Sequence, residues 1–138
     1  MIEEFRANGG RVRSFATQSL LLLTHTGARS GTRRTNPLAY FRDGDRYVIV
    51  ASKGGAATNP DWYHNLLAHP RASIEVGTDR FDVTARVAAP AERDRLWALI
   101  TRQNTWFARY EGRTSRTIPV IVLERVAGDD ASRAPSGA

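Results

Sequence analysis

At 138 residues the chain has room for one continuous core, and its 41% hydrophobic and 25% charged residues exclude a disordered polymer. Cysteine is absent, which excludes disulfides, thiol nucleophiles and thiolate metal sites. The formal charge of +6, carried by nineteen arginines and the single lysine Lys53, points to an anionic partner or to a solvated basic surface. The anion could be a nucleic acid, a membrane surface, or a phosphorylated or polycarboxylate small molecule.

In chain order, residues 1–15 predict a short amphipathic helix ending at Gly9-Gly10. The run from Leu20 to Leu23 is too short for a core helix or a membrane span and predicts a buried strand. The turn "HTGARSGT" breaks the pattern at Gly27 and Gly31, and Pro37 in "RRTNPLAYF" argues for an edge strand or a bulge. Asp43-Gly44 predicts a hairpin turn, with residues 33–52 forming one hairpin. A helix follows, with Asn59 as N-cap, Pro60 at the first helical position and Asp61 at the positive end of the dipole. Its spacing predicts that Trp62, Tyr63, Leu66 and Leu67 face inward, and that His69-Pro70 stops it. "RASIEV" and "RFDVTARVA" predict a second hairpin across "GTD". Pro90 opens a helix that buries Leu96, Trp97, Leu99 and Ile100. An aromatic linker, "NTWFARYEGRTSR", leads to a last strand, "TIPVIVLERV".

About six antiparallel strands with two or three helices cannot make a parallel α/β sheet. They predict a mainly β domain over residues 1–126, a small barrel with helices packed outside, followed by a flexible tail at 127–138. With no spanning segment and no signal pattern, the expected location is the cytoplasm.

The common catalytic sets are missing. His25, His64 and His69 lack metal-ligand spacing and read as surface or turn histidines. "GARSGTRR" is neither a phosphate-binding P-loop nor a dinucleotide fingerprint, and no serine-hydrolase elbow is present. Two basic, glycine-bearing loops remain: Arg29, Ser30, Gly31, Arg33 and Arg34 in the first, and Ser52, Lys53, Gly54 and Gly55 in the second. On one side of a barrel they would form an anion cradle of backbone N–H groups, arginine forks and one compact ammonium. The alternative is two solvated turns.

From Ile2 to Val126 the sequence closely resembles the deazaflavin (coenzyme F-420)-dependent nitroreductase family, through "TGARSGTRRTNPL", "ASKGG", "NPDWYHNL" and "RTIPVIVLERV". The resemblance implies a split β-barrel of the flavin-mononucleotide-binding type. The implied cofactor is coenzyme F-420, an 8-hydroxy-5-deazaflavin with a phosphodiester and an oligoglutamate tail. The implied activity is hydride transfer to a quinone, nitroaromatic or activated enone. Carried over, Arg29, Ser30, Gly31, Arg34, Lys53 and Gly54 would hold the anionic end. Thr35, Asn36, Pro37, Leu38, Ala39, Val50, Ala51 and Ser52 would line the ring pocket. Asp61, Trp62, Asn65 and Phe107 would complete it, although Trp62 also suits a core position. Tyr110 or Ser52 would donate to the developing oxyanion, with water able to replace either, so no single side chain is expected to be indispensable. Two departures stand out. Ala28 replaces one of two basic residues usual after "TG", and Trp106 and Phe107 leave Tyr110 with fewer tyrosine neighbours than the family carries. Rival readings are a flavin mononucleotide (FMN) enzyme on the same barrel and a nucleic-acid-binding barrel using aromatic stacking. Peripheral contact with the inner membrane face through "IEEFRANGGRVRSF" is a further one.

Overall fold

The leucine run forms the strand on which the rest is assembled. The computed structural model describes residues 2–10, 19–51, 59–103 and 118–126. In chain order these are α1 (Ile2–Ala7), β1 (Leu20–Thr26), β2 (Arg33–Ala39), β3 (Phe41–Asp43), β4 (Arg46–Val50), α2 (Asp61–Ala68), β5 (Arg71–Val76), β6 (Asp79–Val87), α3 (Pro90–Gln103) and β7 (Val120–Arg125). One sheet takes all seven strands in the order β2-β1-β5-β6-β7-β4-β3, and every pair is antiparallel. Among the described residues no helix is long and apolar enough to cross a membrane.

The sheet curls. Tyr40, following β2 at one edge, packs at a tilt against Tyr47 of β4 near the other, with ring centroids 5.5 Å apart. Leu21, Leu23, Ile49, Ile74, Val83 and Leu123 fill the concave side, and Trp62 and Leu66 of α2 pack onto them. The expectation that all helices lie outside is therefore corrected: α2 closes the concavity, because its Trp62–Leu66 stripe is the apolar surface that fits there. Outside, α1 covers Leu20 and Leu22 with Phe5, and α3 covers Phe41, Val48, Val50, Val120 and Val122 with Leu96, Trp97 and Ile100. Burying a side chain of this size is worth about 1.5–3 kcal/mol, so the two outer clusters and the inner one jointly hold the curl.

Several local expectations shift. Residues 33–52 are not one hairpin. Strand β2 pairs with β1 along its length, from Leu20 opposite Ala39 to Thr26 opposite Arg33. The Tyr40 N–H closes that ladder on the Ser19 carbonyl at 3.0 Å, and Phe41 then crosses to pair with Val48. Only β3 and β4 form the Asp43-Gly44 hairpin, which makes the strand count seven. Pro37 sits on an edge strand, as its missing N–H requires. Pro60, with φ −67° and ψ 157°, takes the N-cap position expected for Asn59 and makes no side-chain cap bond. Leu67 points outward at 53% exposure, because α2 meets the sheet along Trp62, Tyr63, Asn65 and Leu66. At the end of α1, Gly10 has φ +95° and donates to the Phe5 carbonyl at 2.8 Å. A Cβ there would stand 2.9 Å from Gly77 Cα, so the helix end and the β5–β6 turn can meet only through a residue without a side chain.

Candidate cofactor site

The β1–β2 connection folds on itself. The Gly27 N–H donates to the Thr32 carbonyl at 2.8 Å, the Gly31 N–H to the Gly27 carbonyl at 3.0 Å, and the Thr32 N–H to Ser30 Oγ at 3.1 Å. A Cβ on Gly27 would approach Ser30 Oγ to 2.5 Å, and Gly31 takes φ +71°, so the two glycines of the motif have separate reasons. The Ala28 N–H leaves the loop and donates to Asn65 Oδ1 of α2 at 2.9 Å. Among the described residues the N–H groups of Arg29 and Ser30 have no partner.

A concave pocket of about 390 Å³ opens here, lined by residues 27–30 with Arg34, Asp61, His64 and Asn65. Among the described residues Arg29, Arg33 and Arg34 pair with no carboxylate. Two adjacent free N–H donors and two pocket arginines form the donor set that a phosphate or carboxylate needs.

Strand alternation divides the residues expected to line the ring pocket. Arg34, Asn36 and Leu38 take the concave side, where Leu38 packs on the inner cluster. Thr35 bonds Thr24 through their hydroxyls at 2.9 Å on the opposite side, and Ala39 packs beside Phe5 there, with Pro37 between them. Only the backbones of those three are open to a ligand in the concavity. On β4, Val50 packs with the α3 cluster, whereas Ala51 lies in the inner one next to Trp62. Trp62 is buried in the core, Asp61 is exposed at the pocket lip, and Asn65 is buried between loop and sheet. Ser52, Lys53, Gly54, Gly55, Trp106, Phe107 and Tyr110 lie outside the described residues, as do the proposed tail and the end of the amphipathic start.

Sequence reasoning misplaced His25. It is 2% exposed on the concave side of β1, not a turn residue. Its Nε2 lies 2.6 Å from Asn36 Oδ1, and its Nδ1 lies 3.0 Å from Asn65 Nδ2. The signal was available: His25 continues the alternation of Leu21 and Leu23, so it had to point inward. On the same side burial raises the pKa of Tyr40, assisted by Tyr47 and opposed by Arg42.

The fold and the cationic pocket define a split-barrel cofactor-binding protein. Residues 2–125 match the family model described as F420H(2)-dependent quinone reductase. An F420H(2)-dependent quinone reductase of Mycobacterium tuberculosis is 47% identical over 126 residues, covering 88% of this chain and 85% of that protein. The solved structure of an F420-H2 dependent reductase superposes with TM-score 0.71 at 38% identity, covering 77% of this chain and 94% of the other. A solved domain-swapped dimer superposes with TM-score 0.74 at 35% identity, covering 89% and 91%. The chain belongs to the F420H(2)-dependent quinone reductase family. It is an oxidoreductase that passes hydride from reduced coenzyme F-420 to an electron-poor acceptor, with F-420 rather than FMN as its cofactor.

Proposed function

We propose that the β1–β2 loop and α2 hold the anionic end of F-420 and that the preferred acceptor is a quinone, with nitroaromatics reduced more slowly. The carrying observation is the pocket itself: Arg29 and Arg34, without carboxylate partners among the described residues, stand beside two unengaged N–H groups. Such a set stabilises a phosphodiester and glutamate tail by charge-assisted hydrogen bonds. Lys53, in the motif "ASKGG", would add a further ammonium. Asn36, Leu38 and Ala51, with the backbone of Pro37, would hold the ring against the concave wall, and Trp62 supports that wall from beneath. Bound F-420 supplies the hydride. The chain's part is to orient the ring, exclude water, and donate a proton or hydrogen bond to the acceptor oxygen from the Tyr110 or Ser52 hydroxyl. No single side chain is indispensable, so Tyr110→Phe retains measurable turnover. The likeness to a domain-swapped dimer supports pairing with a second copy, which light scattering would read as twice the chain mass.

The test is a fluorescence titration with oxidised F-420 and, in parallel, FMN, followed by steady-state assays with menadione and a nitroaromatic. Micromolar or tighter binding to F-420 alone, weakened by Lys53→Ala, and a higher kcat/KM for menadione are expected. Binding to FMN alone overturns the cofactor assignment, and steeply salt-dependent oligonucleotide binding with neither cofactor restores the nucleic-acid reading.

A further inference from the structure

An imidazole in a strand of leucines is out of place. At position 25 a leucine would extend the apolar face of Leu21 and Leu23, whereas a buried polar ring is tolerated only when both nitrogens are bonded. Both are, and the bonds have a direction that can be read from one end. The Ala28 N–H can only donate, so the atom of Asn65 facing it at 2.9 Å is the carbonyl oxygen. The other end of Asn65 is then an amide NH₂, which donates to His25 Nδ1 at 3.0 Å. Nδ1 therefore carries no proton. Nε2 carries it and donates to Asn36 Oδ1 at 2.6 Å. That bond turns the Oδ1 of Asn36 toward the ring and its NH₂ away from it, and Asn36 lies on the concave side of β2 between Arg34 and Leu38.

We propose that His25 is a positioning residue: through Asn65 it fixes the Ala28 end of the β1–β2 loop, and by holding the Asn36 oxygen it presents the Asn36 amide N–H as a donor to the cofactor. The proposal rests on the F-420 reading for its ligand, but its geometry is intrinsic to the chain. One buried ring couples the grip on the loop to the polarity of the wall. Neither β1, β2 nor α2 could set both alone, since the relay draws one residue from each. A ligand group that accepts hydrogen bonds, such as a ring carbonyl or a deprotonated hydroxyl, is favoured at that NH₂.

Three measurements test this. Long-range ¹H–¹⁵N correlation on the ligand-free protein is expected to show His25 as the Nε2–H tautomer; the Nδ1–H tautomer overturns the proposal. In His25→Leu, amide exchange at Ala28 is expected to accelerate tenfold or more, and the Kd for F-420 to rise at least tenfold with the quinone KM unchanged within twofold. A folded variant with wild-type exchange and Kd overturns it. Should His25→Leu fail to fold, Asn36→Asp serves. The carboxylate still accepts from Nε2–H but replaces the outward NH₂ by an oxygen, so the Kd is expected to rise tenfold or more, and an unchanged Kd overturns the proposal. Wild-type protein with the Nε2–H tautomer and a slow Ala28 amide that binds no F-420 refutes the cofactor reading and the ligand half of this one, while loop positioning stands on the exchange data.

Discussion

Arginines at two places in this molecule have opposite surroundings. On the outer side near α3, Arg86 reaches Glu92 at 2.6 Å and Glu124 at 3.2 Å, Arg46 reaches Asp43 at 2.6 Å, and Arg95 reaches Asp43 at 3.1 Å. At the β1–β2 loop, Arg29, Arg33 and Arg34 meet no carboxylate among the described residues. The net charge of +6 is therefore not a uniform coat. Acidic residues neutralise one region and leave the other as an attractive field beside a pocket. In the first, arginine fastens strands to a helix; in the second, the ligand role proposed above would give it a partner.

The largest effect expected from breaking this contrast comes at the loop. A charge-assisted hydrogen bond contributes about 1.5–3 kcal/mol, and about 1.4 kcal/mol is tenfold in affinity. Arg29→Ala with Arg34→Ala should weaken F-420 binding on the order of 100-fold or more while leaving the Tm unchanged, read by titration and by thermal melting. At the other region the pattern reverses. Arg86→Ala should lower stability by about 1 kcal/mol, a discounted figure because the side chain is 38% exposed, with the Kd unaltered.

Acid separates the regions more gently. The hydrogen bond from Arg86 holds the Glu92 carboxyl below its usual range, and Arg95 does the same for Asp43, each against a smaller opposing effect of burial. A depressed folded value means that the stabilisation is complete above the ordinary carboxylate range near pH ~4 and is lost as the pH falls through the depressed values. The Tm should therefore fall below about pH 4, and the gap between wild type and Arg86→Ala should narrow as Glu92 protonates. The smallest effect belongs to Leu67→Gln. Although it sits on the helix that lines the pocket, its outward side chain predicts a change within about 0.5 kcal/mol, seen in denaturant melts.

The strands and helices were legible because a short apolar run such as "LLLL", period-2 alternation in "RFDVTARV" and helical apolar spacing in "PAERDRLWALITRQ" survive in short segments. The partner of β2 was not. Local turn chemistry at Asp43-Gly44 suggested a neighbour close in sequence, whereas the ladder with β1 depends on Tyr40 handing the chain across the seam. Of the expected pocket residues, the family motif marked β2 as a block, but only alternation distinguishes Asn36 from Thr35. His25 was lost for a different reason: histidine is polar enough to suggest a turn, and its two amide partners lie 11 and 40 positions away in sequence.

Strands β2 and β3 stand at the two extremes of the sheet, yet a single residue, Tyr40, joins them in sequence. The curled sheet is thus a hoop whose ends are tied by peptide bonds instead of a hydrogen-bonded ladder. Such a clasp limits how far the rims can separate while letting them flex about one tether. Lengthening the tether by even one residue would slacken the whole hoop.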